Sequence, residues 1–324
     1  MIKPRKTWAL GCACVFGAMT FAPAWAADDF PSHPIRVIVP YAPGGGSDIS
    51  IRVIQNRVQE LLKQSLIVDN RAGGGTMIGT RIVAAAPADG YTLGIMDPAF
   101  LANPLMTDAK YDAMKDFVPV SLISVTPMIF AVPATEPVKS VKEFVDYVKA
   151  KPSVFNYGSP GSGSAGHLAI EQFRNTFGLK GLHIPYKGSG PAMAAIAGGE
   201  INSLMSGSAL VPLVQDGRLR GLAVTGSKRL SSLPNVPTFA ELGYPQVNVQ
   251  TFAAMVAPAG TPRPVVLRLQ AAFAGAVNSP DMKVQLGQRG AVPVGSTADE
   301  LAVFFKDNLA SLAKVVQDSS IKIE

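Results

Sequence analysis

The chain has 324 residues, of which 48% are hydrophobic and 16% are charged, and its formal net charge is +6. This length and apolar content predict one large or two medium folded domains and exclude a disordered chain. The mild basic excess also argues against a nucleic-acid partner, because such partners require clustered positive charge.

The first 26 residues are typical of a cleavable signal peptide. Three basic residues precede an apolar run over 8–21, and Ala24-Trp25-Ala26 then offers small residues at the positions that a signal peptidase reads. The apolar run is shorter than the ~20 residues of a membrane-spanning helix. An uncleaved anchor is the alternative, but we predict export to a bacterial periplasm.

Both cysteines and both tryptophans of the chain lie within this segment. The mature protein therefore has no disulfide, no thiolate metal site and no cysteine nucleophile. An exported protein without disulfides suits a bacterial periplasm. The three histidines lack the spacing of metal ligands, so the sequence predicts neither a metal nor another cofactor.

Strands and helices alternate in the first third of the chain. The pattern predicts strands at 35–39, 66–68 and 91–96, separated by helices at 51–62 and 78–85. A βαβαβ order of this kind predicts a parallel sheet with right-handed crossovers.

The same pattern begins again after a long extended segment at 121–132. We predict further strands at 154–157, 182–184, 201–205 and 219–225, with helices at 140–149 and 165–177 and another beginning near Pro191. A second long extended segment covers 247–256. The chain is then mostly helical from 262, with a short strand near 291–294.

This order predicts an α/β protein with two lobes and a discontinuous first domain. The first lobe comprises 27–127 and 252–324, and the second comprises 128–251. The two long extended segments would join the lobes as a two-strand hinge, which is the geometry that lets a cleft close around a ligand.

Two glycine-rich turns are the candidates for a ligand site, and we call residues 43–48 the first loop and residues 158–164 the second loop. Each lies between a predicted strand and helix, where α/β sheets bind ligands and where a helix N-terminus favours an anion. Glycine permits close backbone approach, and serine adds hydroxyl donors. We predict that the loops clamp a carboxylate or phosphate; the alternative is that they are only turns and caps.

The candidate ligand-binding residues lie in and around these loops. They are Tyr41, Pro43, Gly44, Gly45, Ser47, Asp48, Asp97, Ser159, Ser162, Gly163, Ser164, His167, Lys187 and Ser206. Asp48 is a helix cap or an acceptor for the ligand, and His167 faces the cleft or packs. Lys187 supplies a cation or is simply solvated.

Motifs for catalysis are weak, and no catalytic residue is predicted. Residues 161–166 match G-x-G-x-x-G, but the next strand ends at 184–186 without the acidic residue that would bind a ribose. The chain has no G-x-S-x-G elbow. The alternatives to a solute receptor are an exported sensor and an exported serine hydrolase, in which His167 or His183 would activate Ser162 or Ser164.

Eight segments closely resemble the substrate-binding proteins of tripartite tricarboxylate transporters, also called the Bug family. The first, at 31–48, reads PSHPIRVIVPYAPGGGSD, and the others lie at 70–75, 88–93, 157–164, 185–188, 222–225, 233–238 and 257–262. The resemblance covers essentially the whole mature chain.

This resemblance implies a type II periplasmic-binding-protein-like fold, with the ligand cleft between two α/β lobes. It implies a monomer that delivers a carboxylate, such as a di- or tricarboxylate, an acidic amino acid or an aromatic acid, to the integral membrane subunits of a permease. Many relatives carry an acidic residue after the strand that ends at Met205, whereas this chain has Ser206-Gly207-Ser208. We therefore expect a carboxylate that has no amino group.

Overall fold

The computed structural model describes residues 30–152, 155–186, 188–319 and 321. The predicted signal peptide at 1–26 lies outside these residues. None of the helices within them is both long and apolar enough to cross a membrane.

The described residues form eleven strands and ten α-helices. The strands are β1 (Ile35–Val39), β2 (Leu66–Asn70), β3 (Thr92–Met96), β4 (Phe117–Thr126), β5 (Ile129–Pro133), β6 (Asn156–Ser159), β7 (Leu182–Pro185), β8 (Ser203–Ser206), β9 (Leu219–Val224), β10 (Thr251–Pro258) and β11 (Val292–Pro293). The helices are α1 (Gly46–Leu62), α2 (Met77–Ala84), α3 (Pro98–Met106), α4 (Val141–Ala150), α5 (Ala165–Phe177), α6 (Ser189–Gly198), α7 (Val211–Gln215), α8 (Arg263–Asn278), α9 (Pro280–Gln288) and α10 (Ala298–Ser319).

The first sheet has the strand order β11-β4-β10-β3-β1-β2. Strand β1 pairs in parallel with β2 and β3, which confirms the predicted parallel unit. The sheet is mixed, however, because β10 runs antiparallel to β3 and β4. Four of the five residues of β1, all except the half-buried Arg36, are apolar and buried, because helices cover both faces of the sheet.

The second sheet repeats this plan with the order β7-β6-β8-β5-β9. Strand β6 pairs in parallel with β7 and β8, and β5 runs antiparallel to β8. Strands β1 and β6 thus hold equivalent positions, each between two parallel neighbours. In each sheet the chain passes from this strand to the neighbour on one side and then crosses to the neighbour on the other side. Such a change of direction leaves a crevice beyond the carboxyl ends of the strands.

Each of the two predicted extended segments is interrupted. The segment at 121–132 forms β4 in the first sheet and β5 in the second, and the break falls at Pro127, which has no N–H to continue a ladder. On the return, only β10 is a strand. The N–H groups of Asn248 and Val249 instead donate to Gln172 Oε1 at 2.7 and 2.9 Å. The domain boundaries at 127 and 251 remain a prediction.

Two element boundaries also differ from expectation. Strand β6 spans Asn156–Ser159 rather than 154–157, because its ladder is set by pairing with β7 and β8. Helix α6 begins at Ser189 rather than at Pro191, because Gly188, with φ of 109°, turns the chain before it.

One buried apolar cluster extends over both sheets. It contains Phe100 and Phe305 beside the first sheet and Phe130, Phe144 and Phe173 beside the second. The ring of Phe130 lies 5.1 Å from that of Phe144 and 4.4 Å from that of Phe173. The end of α10 also reaches α5, where Asn175 Nδ2 donates to Ser319 Oγ at 2.6 Å.

A pair of helical glycines tests how tightly α2 packs on β1. A Cβ at Gly79 would lie 2.8 Å from Arg71 O and 2.9 Å from Pro40 Cα, whereas one at Gly287 in α9 would meet nothing within 4 Å. We expect Gly79→Ala to lower the free energy of unfolding by about 1–3 kcal/mol through overpacking. Gly287→Ala should raise it by up to about 1 kcal/mol. Urea unfolding of both variants checks this, and equal effects would contradict the packing described.

Candidate functional site

The two loops occupy equivalent places in the two sheets. The first loop leaves β1 and opens α1, and the second loop leaves β6 and opens α5. Both therefore present a helix N-terminus at the carboxyl ends of parallel strands. Such a position favours an anion, because the first N–H groups of the helix point toward it.

Asp48 holds the first loop in place. Its side chain is 2% exposed; Oδ2 accepts the N–H of Gly44 at 2.8 Å, and Oδ1 accepts Arg52 Nε at 2.9 Å and Asn70 Nδ2 at 3.0 Å. Burial alone would raise the pKa of Asp48, but the hydrogen bonds from Gly44, Asn70 and Arg52 hold it below its ordinary value. Asp48 therefore stays ionised, and its oxygens are already engaged within the fold.

This arrangement leaves the start of α1 rich in donors. Within the described residues, the N–H groups of Gly46, Ser47 and Asp48 have no acceptor, and the hydroxyl of the largely buried Ser47 has no partner. Gly44, with φ of 84°, makes the turn that aims them. Pro43 and Gly44 are exposed at the tip of the loop, and Gly45 is half-buried.

Tyr41 and Asp97 are joined to each other beside the first loop. The Tyr41 hydroxyl donates to Asp97 Oδ2, and Asp97 Oδ1 accepts the N–H of Ala99 at 3.0 Å as the cap of α3. Burial raises the pKa of Asp97 to about 6 despite these hydrogen bonds. The pKa of Tyr41 is also raised, by burial and by the Asp97 charge.

The second loop is fixed by its own serines. The Ser159 hydroxyl, fully buried at the end of β6, lies 3.0 Å from Gly161 O and 2.7 Å from His183 Nε2. Ser164 caps α5, because its Oγ accepts the N–H of His167 at 3.3 Å and donates to Gly161 O at 2.7 Å. These two residues shape the loop and have little capacity left for a ligand.

Ser162 faces outward instead. It is exposed, and within the described residues neither its N–H nor its hydroxyl has a partner. The N–H groups of Ala165 and Gly166, which open α5, are equally without acceptors there. The Gly163 N–H, in contrast, is used, since it donates to His167 Nδ1 at 3.1 Å.

The sequence analysis did not anticipate the buried polar cluster behind the second loop. The rings of His167 and His183 stack with centroids 3.8 Å apart, and Glu171 accepts Arg174 Nη2 at 2.7 Å and the Tyr157 hydroxyl. The i, i+4 and i, i+3 spacing on α5 was a signal for part of it. The contribution of His183 on β7 depends on strand pairing, which the sequence alone does not show.

The remaining candidates are more dispersed. Ser206 is buried at the end of β8, and a Cβ at Gly207 would lie 3.5 Å from Thr126 and 4.0 Å from Thr251, where the chain crosses between the sheets. Lys187 lies outside the described residues. In the part of the chain that the structure covers, no group of three or more acidic, histidine or cysteine side chains is placed to hold a metal ion.

Two cavities are lined by the described residues. One of about 690 Å³ is bounded by α5, α10 and residues 245–250. Another of about 390 Å³ borders the second loop, and Ser162, His167 and His183 contribute to its wall.

A family model for the tripartite tricarboxylate transporter family receptor matches residues 50–321. The chain belongs to this family. It is 34% identical over 303 residues to protein BugT of Bordetella pertussis, covering 92% of this chain and 93% of BugT. The family and its structural neighbours are periplasmic solute-binding proteins rather than enzymes, so the hydrolase alternative is set aside.

Two solved structures extend the comparison to the fold. An R. palustris protein solved with adipate is 33% identical, with a TM-score of 0.83 over 91% of this chain and 99% of that one. MatC from Rhodopseudomonas palustris, solved with bound malate, is 28% identical, with a TM-score of 0.79 over 89% and 100%. The predicted two-lobed periplasmic-binding-protein fold is confirmed.

Asp97 gives the site a measurable pH dependence. Its pKa is about 6 in the native state against an ordinary value of 3.8, so the native state keeps a proton that the unfolded chain has already lost between these values. The proton on Asp97 therefore contributes to the free energy of unfolding. This contribution, at most about 3 kcal/mol, is complete below about pH 4 and is lost as the pH rises through about 6.

Asp97→Asn should remove this contribution while keeping an acceptor for the α3 cap. We expect the difference in unfolding free energy between wild type and variant to shift by up to about 3 kcal/mol from about pH 4 to about pH 7. Denaturant unfolding across this range measures it. A difference that does not change with pH would contradict a raised pKa at Asp97.

Proposed function

We propose that this receptor captures a small carboxylate between the first and second loops and delivers it to the membrane subunits of a tripartite carrier. The observation that carries the proposal is the pair of helix N-termini, each with N–H groups that find no acceptor in the part of the chain that the structure covers. In α1 they belong to Gly46, Ser47 and Asp48, and beside α5 to Ser162, Ala165 and Gly166.

The chemistry of these donors favours an anion. A helix N-terminus carries about half a positive charge, and its unpaired N–H groups are costly to bury without an acceptor. A carboxylate at each loop would satisfy both sets at once. Arg52 is the cation of the first loop's network, and it is paired with Asp48, so recognition would rest on backbone dipoles.

A dicarboxylate without an amino group fits this site best. Neighbours of this fold were solved with adipate and with malate, which both carry two carboxylates and no amine. Ser206-Gly207-Ser208 provides no acidic group to bind an ammonium. Tricarboxylates and aromatic acids belong to the same proposal, whereas an amino acid does not.

The rest of the delivery scheme is proposed on the same basis. The chain would lose residues 1–26 on export and act in the periplasm as a monomer. The lobes at 27–127 with 252–324 and at 128–251 would close about the crossovers near Pro127 and 244–250. The closed form would then dock on the integral membrane permease subunits.

A thermal-shift panel of mono-, di-, tri- and aromatic carboxylates, with aspartate and glutamate included, tests the ligand class. A true ligand at about 100 times its Kd should add about 2.7 kcal/mol of stability. Non-amino dicarboxylates should give the largest shifts. A panel without any shift would contradict the carboxylate proposal, and preference for aspartate or glutamate would contradict the exclusion of amino acids.

Gly46 offers a matched pair of variants for the first loop. It opens α1, is exposed, and a Cβ there would meet nothing within 4 Å. Gly46→Glu adds a negative charge that suits the helix start but repels a bound carboxylate, and Gly46→Gln adds the same bulk without charge. By calorimetry at low salt, Gly46→Glu should bind adipate or malate at least about tenfold more weakly than Gly46→Gln. Equal affinities would place the carboxylate elsewhere.

A further inference from the structure

The second loop is held from behind by two histidines rather than by a carboxylate. The Nδ1 atom of His167, which is 5% exposed, accepts the Gly163 N–H at 3.1 Å. His183 Nε2 lies 2.7 Å from the buried Ser159 hydroxyl. Both ends of the loop are therefore attached to imidazole nitrogens from α5 and β7.

The bond from Gly163 fixes the protonation state of His167. A ring nitrogen that accepts an N–H cannot carry a proton, so the neutral ring holds its single proton on Nε2. Protonation would place a hydrogen on Nδ1, directly against the Gly163 N–H. The contact that orders the loop would then become a repulsion.

The stacking of the two rings opposes charge on both at once. The planes of His167 and His183 are 9° apart with centroids at 3.8 Å, so a cation on one ring would lie against the other. Burial, followed by the His183 ring, lowers the pKa of His167 to about 4, and burial lowers that of His183.

The charged groups around the pair compensate only in part, because Glu171 raises the pKa of both rings while Arg174 lowers that of His167. On α5, Glu171 Oε1 lies 3.8 Å from His167 Nε2, and this carboxylate already accepts Arg174 Nε and Nη2 at 2.9 and 2.7 Å. On β6, the Tyr157 hydroxyl also donates to Glu171. The Arg174 charge further disfavours a second cation.

Protons reach the pair from the edge of the second sheet. The cavity of about 390 Å³ is walled by His167, His183, Glu171, Arg174 and Ser162 and opens beside the edge strand β7.

We infer that His167, with the His183 ring stacked on it, acts as a positioning residue that holds the second loop in its binding form only while the His167 ring is neutral. Acidification then releases the loop and weakens ligand binding. This inference rests on the proposed function for its effect on affinity, but its effect on the loop does not depend on any ligand.

Three proteins test it: wild type, His167→Asn and His167→Phe. The Asn Oδ1 atom can take the place of Nδ1 as acceptor for Gly163 and does not titrate. Phe keeps a ring for stacking but has no acceptor. Circular dichroism at neutral pH establishes that all three are folded.

Amide hydrogen exchange of residues 159–166 is measured in the protein without ligand and compared with exchange in the first loop. Between about pH 6.5 and about pH 4, wild type should lose protection there by about tenfold or more relative to the first loop. His167→Asn should keep its protection, and His167→Phe should lack it at every pH. Protection in the Phe variant equal to wild type, or a pH response retained in the Asn variant, would overturn the inference.

Calorimetry with adipate adds the functional readout. Wild type and the Asn variant should bind alike at neutral pH, the Phe variant about tenfold more weakly, and only wild type should lose affinity on acidification beyond the titration of adipate itself. If no protein binds adipate but the exchange pattern holds, the proposed ligand fails while the loop mechanism stands. If adipate binds with the same pH dependence in wild type and Asn, the mechanism fails while the proposed function stands.

Discussion

An α-helix cannot supply acceptors for its own first N–H groups, and both loops of this receptor leave some of these N–H groups without an acceptor among the described residues. At α1 the network around Asp48 takes only the Gly44 N–H and leaves those of Gly46 and Ser47 without an acceptor among the described residues. At α5 the Ser164 cap takes only that of His167. Binding capacity thus arises from what the side chains leave unsatisfied.

The two loops reach the same backbone geometry with different chemistry. A buried, ionised carboxylate that is paired with Arg52 fixes the first loop. A neutral imidazole pair fixes the second. Because the Asp48 pKa is held below its ordinary value, the hydrogen bonds that Asp48 makes to the first loop persist in mild acid, whereas the second loop depends on rings that ordinarily titrate near pH 6.5. An identical layout of strands and helices therefore need not respond identically to its surroundings.

The fold ties this site to the connections between the sheets. Helix α5, which opens at the second loop, carries Gln172, and Gln172 accepts both N–H groups of the returning crossover at Asn248 and Val249. The same helix meets the end of α10 through Asn175 and Ser319. Movement of the second loop's helix is thus coupled mechanically to the segments that must bend if the lobes close.

Much of this architecture follows from local pattern. The β-branched run at Ile35–Val39, the glycine-rich turn after it and the helical spacing beyond predict β1, the first loop and α1, because these signals depend on near neighbours in the chain. The equivalent unit around β6 and α5 follows in the same way, and the resemblance of eight segments to a known family indicated the fold and the class of function. The antiparallel insertion of β10 between β3 and β4 did not follow, since it joins residues more than a hundred positions apart.

The roles of individual residues required the tertiary structure. From the sequence, Asp48, Asp97, Ser159 and Ser164 are all polar groups near a glycine-rich turn, and only their partners show that they are engaged in holding the loops. His183 is the clearest case, because the pairing of β7 with β6 brings it to Ser159 and His167 from a separate strand. The sequence by itself determined where the helix N-termini lie and that they favour an anion, because helix starts are local. Which donors remain free, and what holds them, was decided by the tertiary structure, because a hydrogen bond's availability depends on every acceptor that folding brings near it.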